Sequence, residues 1–190
     1  MIWWILIAVV LVVLLLYLSS TAGRLDRMHH RVELSRANLI AALQRRRDLA
    51  DHVATVGILD PASSLVVADA VARADELSQV SPEGQAMGSS GEMVKAWLAE
   101  SDLSQALGAV FADRADVAGM VELPGGEVVV RLGDACRRVE IGRRFYNDAV
   151  LATRGMRGWR SVRWFRLAGT ATMPETVEMV DSVPAGFAGY

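Results

Sequence analysis

The stretch LDRMHHRVELSRANLIAALQRRRDLADHVATV, from Leu25 to Val56, decides the fold of this chain. Within it Leu25, Met28, Val32, Ser35, Leu39, Ala42, Arg46, Leu49, Val53 and Val56 follow one another in alternating steps of three and four, the spacing that holds side chains on one seam of an α-helix. Neither proline nor glycine interrupts the chain between Gly23 and Gly57. The spacing therefore predicts one continuous helix that stops at Gly57 and, at helical rise, projects about 50 to 60 Å. Arg46 stands on the seam itself, where a guanidinium must meet a carboxylate or snorkel to solvent.

Upstream, the seventeen residues from Ile2 to Leu18 carry no charge. As a helix they span about 26 Å, and the small, uncharged continuation through Ala22 brings the run to the ~30 Å of a bilayer's hydrocarbon core. Trp3 and Trp4 at one end and Tyr17 at the other stand where aromatic rings favour the headgroup level. Residues 1–22 read as a transmembrane anchor that runs directly into the long helix. Only the α-amino group is basic before the apolar run, whereas Arg24, Arg27, Arg31 and Arg36 follow it. The positive-inside bias then makes this a single-pass protein of the cell membrane with its N-terminus outside and its body cytoplasmic. Ser20, Thr21 and Ala22 also offer a small-residue cleavage site, but a signal peptide carries a basic region before its apolar core, and this chain has none.

Downstream, Asp60-Pro61 reads as an N-cap followed by proline at the first helical position. It opens an Ala-rich helix to about Gln79 with Leu65, Ala68, Ala72 and Leu77 among its apolar positions. Ser81 to Gly91 is rich in Gly and Ser and reads as a loop. Residues from about Glu92 to Phe111 regain helical spacing, with Val94, Leu98, Leu103, Leu107 and Val110 available for packing. Ala112 to Gly126 contains Leu123-Pro124-Gly125-Gly126 and predicts a turn. After it Leu132, Ala135, Val139, Gly142, Tyr146, Ala149 and Thr153 restore the three-four repeat of a fourth helix, and Val128 to Val130 is too short to found a sheet. The expected fold class is all-α: an N-terminal transmembrane helix continuing into an antiparallel four-helix bundle over residues 23–153.

The 190 residues carry a formal net charge of -2, with the signs segregated. Between Asp148 and Glu175 there is no acid, but Arg154, Arg157, Arg160, Arg163 and Arg166 recur every third residue with Trp159 and Trp164 among them. A three-residue step lags the helical turn by about 60°, so these arginines would not share one face. Residues 154–170 form a basic aromatic segment, followed by a C-terminal tail, 171–190. Two readings stand for the segment: contact of Arg154, Arg157, Trp159, Arg160, Arg163, Trp164 and Arg166 with an anionic membrane surface, or a solvated extension whose tryptophans fold back on the helices. Nucleic acid is not an expected partner, because the body carries a full complement of Asp and Glu and no nucleic-acid module.

Few residues point to chemistry. His29 and His30 form i,i+4 pairs with Glu33 and Asp26, a metal-compatible spacing, but adjacent histidines diverge by about 100° on a helix, so they read as solvated positions. His52, beside Asp48 and Asp51, reads the same way. The single cysteine, Cys136, forms no intrachain disulfide and reads as a small buried apolar residue. Tyr146 lies on the fourth stripe as a buried phenol expected to bond a neighbouring helix. Phosphate loops, nucleophile elbows and paired-cysteine metal motifs do not occur. No catalytic residue, cofactor or metal site is expected.

The anchor, followed by RVELSRANLIAALQRRRDLADHV and later by RRVEIGRRFYNDAV, resembles the LemA family of bacterial membrane proteins over most of the chain. The first block is similar to the family's long first helix, in the segment marked here by Arg45, Arg46 and Leu49. ESDLSQAL, Glu100 to Leu107, resembles its third helix. The second block is similar to its fourth, marked by Arg144, Tyr146, Asn147 and Val150. The family commonly repeats Tyr-Asn one heptad later, where this chain has Thr153-Arg154. The resemblance implies a four-helix bundle on a single-pass anchor with a cytoplasmic body, and it implies no reaction or cofactor; some relatives are associated with membrane shaping. The expected role is a non-enzymatic scaffold or interaction protein that meets the lipid bilayer and binds copies of itself or other membrane proteins. An adaptor of a membrane protease or transporter, and an enzyme or metal-binding protein with a site inside the bundle, are the alternatives.

Overall fold

The structure, a computed structural model, describes residues 2–79, 90–157 and 173–190. Five α-helices follow one another: α1 (Ile2–Thr55), α2 (Pro61–Gln79), α3 (Ser90–Val110), α4 (Arg114–Glu122) and α5 (Glu127–Arg157), with a 3₁₀ turn at Ala185–Phe187. No strand occurs among the described residues, and Val128 to Val130 belong to α5. Residues 80–89, which hold nearly all of the expected Gly/Ser loop, lie outside the described residues.

The long first helix forms as its sequence predicts, without a break from the apolar run through the heptad seam. It ends before Gly57, whose φ of 82° lies in the left-handed region open to glycine. In its first part, the described side chains from Ile2 to Ser20 are all exposed, and this is the one stretch among the described residues long and apolar enough to cross a membrane. Val32, Leu39, Leu49 and Val53 of the seam are buried, as are Leu43, Arg47 and Ala50 beside it, whereas Val56 is exposed. The buried face is thus wider than a strict coiled-coil seam, as expected where one helix meets several neighbours.

Asp60 starts α2 as an N-cap, its Oδ1 accepting from the Ala62 and Ser63 amides at 2.9 and 3.1 Å. Hydrogen bonding to Ser63 holds the Asp60 carboxyl below the usual carboxylate range. The packed face of α2 includes Leu77, which packs against the core, and half-buried Ala68, but differs from the expected one at Leu65 and Ala72. Val67, Ala70, Val71 and Ala74 are buried, while Leu65 is 71% exposed and Ala72 is exposed. An Ala-rich helix is apolar on most sides, so composition leaves its face undetermined. On α3 the inner stripe is Ala99, Glu100, Leu103, Ser104 and Leu107, continued by Phe111, whereas Val94 and Leu98 are exposed. The step of five from Leu98 to Leu103 rotates about 140° off a common face.

The stretch expected to be a turn contains α4, capped by Asp113, whose Oδ1 accepts from the Ala115 amide at 2.6 Å. Nine residues are too few for periodicity to register. On α5 the predicted stripe is buried at Leu132, Ala135, Val139, Tyr146, Ala149 and Thr153, with Gly142 half-buried.

The chain divides into two compact units, residues 1–37 with 145–176 and residues 38–144 with 177–190. The main apolar core lies in the second. Leu49 and Val53 of α1, Val67 and Val71 of α2, Leu103 and Leu107 of α3, Val117 of α4 and Val129 and Leu132 of α5 meet there with Phe111 and Phe187. Within the C-terminal tail, residues 177–190 therefore belong to the core of this unit. The Phe111 and Phe187 rings stack with centroids 5.0 Å apart. The Gly186 amide donates to the Phe111 carbonyl at 2.9 Å, and a Cβ on Gly186 would stand 2.6 Å from that same oxygen. Only glycine allows the approach. Upstream in the same segment, Asp181 receives a two-point contact from Arg143, Nε to Oδ2 at 2.5 Å and Nη2 to Oδ1 at 2.9 Å. Asp181's hydrogen bonds raise the Arg143 pKa above its ordinary value. The Val180 amide donates to Ser101 Oγ at 3.0 Å.

Candidate functional site

Arg46 and Arg47 are adjacent on α1, so their side chains leave the helix about 100° apart, yet both are buried in the second unit, 1% and 4% exposed. They converge on Glu100 of α3, itself 3% exposed. Arg46 Nη2 donates to Glu100 Oε2 at 2.6 Å and to the Glu100 carbonyl oxygen at 3.1 Å. Arg46 Nη1 donates to Ser104 Oγ at 2.8 Å, and that hydroxyl in turn donates to the Glu100 carbonyl at 3.0 Å. Arg47 Nη1 donates to the other carboxylate oxygen, Glu100 Oε1. Arg47 Nη2 donates to Gln44 Oε1 at 2.6 Å, and Arg47 Nε stands 2.6 Å from Asp75 Oδ1 of α2. The formal charges balance, two guanidinium groups against Glu100 and the half-exposed Asp75. Arg46 Nε is buried without a hydrogen-bond partner.

Of the two outcomes open to a seam arginine, Arg46 takes the carboxylate. Chemically the cluster holds α1, α2 and α3 to one another through charged groups that find few other partners in an apolar interior. Both oxygens of Glu100 are already engaged.

The other residues singled out by sequence do not gather around this cluster. Leu49 is buried one turn further along α1, and Arg45 is exposed on the wall of a small surface cavity. Arg144 is exposed and pairs with Glu140 at 2.5 Å on its own helix. In the first unit, Val150 is fully buried and Asn147 half-buried. Tyr146 is buried there, and its hydroxyl donates to the Glu175 carbonyl at 2.9 Å. Its partner is therefore the non-helical segment 173–184 and not a neighbouring helix, because that segment brings an open carbonyl to α5. Burial raises the Tyr146 pKa. Arg154 lies in α5 and its Nε donates to the Pro174 carbonyl at 2.9 Å; Arg157 is the last residue of that helix. Trp159, Arg160, Arg163, Trp164 and Arg166 lie outside the described residues, so the lipid-surface reading falls mostly there.

His30 and His52 are exposed and His29 is half-buried. Among the described residues no group of three or more His, Cys, Asp or Glu side chains is placed to hold a metal. Cys136 is buried, and burial pushes its thiol up to about 11, against the pull of Arg46 and Arg137. Reaction with iodoacetamide at pH 8 is accordingly expected to be slower by orders of magnitude in the folded chain than after denaturation. Mass spectrometry of the labelled protein checks this, and rapid labelling of the native state would contradict a sealed site.

Sequence reasoning missed Glu100 as the partner of Arg46. The available signal was the three-four spacing read backward from Leu107 and Leu103, which lands on Glu100. No family model, curated protein or solved structure matches this chain.

Proposed function

We propose that this protein is a non-enzymatic, single-pass membrane scaffold of the LemA type, its N-terminus outside the cell membrane and its helical body cytoplasmic. In this reading α1, α2, α3 and α5 make an antiparallel four-helix bundle, α4 is a short element in a connection, and the body associates laterally with copies of itself or with other membrane proteins. The observation that carries the reading is the continuity of α1, one helix that begins as an exposed apolar span and ends as a packed, charge-locked strut. The arginines after the span support the cytoplasmic placement. The arginines and tryptophans of 154–170 suit contact with the anionic inner leaflet.

Proteinase added to intact cells tests the topology. The body is expected to survive while external markers are digested, and digestion of everything beyond Gly23 with interior markers spared would overturn the reading. Crosslinking in native membranes tests the scaffold role, with covalent dimers or stable heteromers expected and an exclusively monomeric product against it.

A further inference from the structure

We propose that Arg45, Arg131 and Arg138 form a binding site for a phosphate group. The three guanidinium-bearing side chains line a partly open cavity of about 110 Å³ in the second unit, with Leu49, Asp134 and Ala135 completing its wall. Helical register builds it. Arg45 and Leu49 are one turn apart on α1, and Arg131, Asp134, Ala135 and Arg138 fall three and four residues apart on one face of α5. Asp134 is the only acid on the wall among the described residues, and its Oδ1 already accepts from Arg137 Nη2 at 2.9 Å.

Arg46, Arg47, Arg73, Arg137, Arg143 and Arg144 each pair with a carboxylate. Arg45, Arg131 and Arg138 have no such partner among the described residues, yet they share one concavity. An anion supplies the missing countercharge. Three planar forks carried on two helices suit a ligand with several oxygens in a tetrahedral array better than a planar carboxylate. The space admits a few waters or one phosphoryl group, and among the described residues no aromatic side chain lines it to stack a base. A free phosphate, a small phosphate monoester and a phospholipid headgroup all present this chemistry. The inference rests on the second unit alone and is independent of the scaffold reading.

The test is a titration of the chain, anchor included, in phosphatidylcholine nanodiscs with inorganic phosphate, at ionic strength held constant with potassium chloride. A saturable rise in Tm is expected. Arg138→Gln should weaken the half-saturation concentration about tenfold, and Arg45→Gln/Arg131→Gln/Arg138→Gln should abolish saturation. All three residues are exposed, so these variants keep the fold. Phosphate also stabilises proteins generally by exclusion from their surface, an effect the triple variant retains, so only the saturable component counts. Arg73→Gln, which removes an exposed pair on α2, should leave that component intact. Competition by phosphatidylglycerol in the nanodisc identifies a lipid headgroup as the source, and its absence identifies a soluble phosphate. Saturation unchanged in the triple variant, or an equal response to chloride alone, overturns the proposal.

Discussion

Replacing Glu100 by alanine is expected to cost about 3–5 kcal/mol of folding stability, which for a chain of this size lowers Tm on the order of 10 °C. The cost comes from what is left behind. Arg46 and Arg47 remain 1% and 4% exposed, Arg46 loses its carboxylate, and Arg47 keeps only the half-exposed Asp75 and Gln44. Ser104 cannot compensate, because its hydroxyl is already shared between Arg46 Nη1 and the Glu100 backbone. The converse variant separates lost pairing from lost packing. Arg46→Met/Arg47→Met/Glu100→Leu removes all three charges together and keeps the volume filled, so it should be markedly more stable than Glu100→Ala alone. The unpartnered Arg46 Nε makes the charged arrangement costlier still and strengthens that ordering. Thermal unfolding of the detergent-solubilised chain by circular dichroism decides it. A Glu100→Ala protein that melts within a degree or two of the parent would refute the cluster's role in holding the three helices.

Where the sequence carried long, regular signals, the fold was legible. The α1 seam, the Asp60-Pro61 start of α2 and the α5 stripe rest on more than two turns of spacing or on a cap whose chemistry is local. The buried faces of α2 and the first half of α3 were not legible. In α2 alanines surround the helix, and in α3 Val94 and Leu98 are apolar yet out of phase with Leu103 and Leu107. Hydrophobicity alone does not say which of two stripes is covered; the covering elements decide that. The same holds for the charge cluster. Arg46 was conspicuous because it broke an apolar seam, but Glu100 lies in the run Ala99-Glu100-Ser101-Asp102, which reads as a solvated face until α1 is placed beside it. The two observations are one constraint seen from two helices: an arginine on one stripe requires an acid on another.

Phe187→Ala is expected to destabilise the protein by about 3–5 kcal/mol, a large effect for a residue in a tail whose described residues hold no α-helix. Nothing local predicts it, since VPAGFAGY has neither periodicity nor a helix signal, and a tail rich in Gly, Ala and Pro ordinarily reads as solvated. The ring is nevertheless fully buried and stacked on Phe111, and its place is prepared by missing side chains at two glycines. Gly186 lets the backbone reach the Phe111 carbonyl, and a Cβ on Gly133 of α5 would stand 2.9 Å from the Phe187 ring. Truncation therefore leaves a cavity in the main core and releases the 3₁₀ turn that fills it. Hydrogen exchange at the Gly186 amide, which donates to Phe111, should accelerate along with the fall in Tm, while helix content at 25 °C stays unchanged. Tyr190→Ala, at a 39% exposed side chain, should stay within about 0.5 kcal/mol of the parent. The two sites are also coupled. Gly133→Ala should be strongly destabilising in the parent and clearly less so in the Phe187→Ala background, where the two closest ring contacts are gone. Additive costs would mean that the tail does not occupy this pocket in solution, and a stability insensitive to Phe187→Ala would remove the tail from the core altogether.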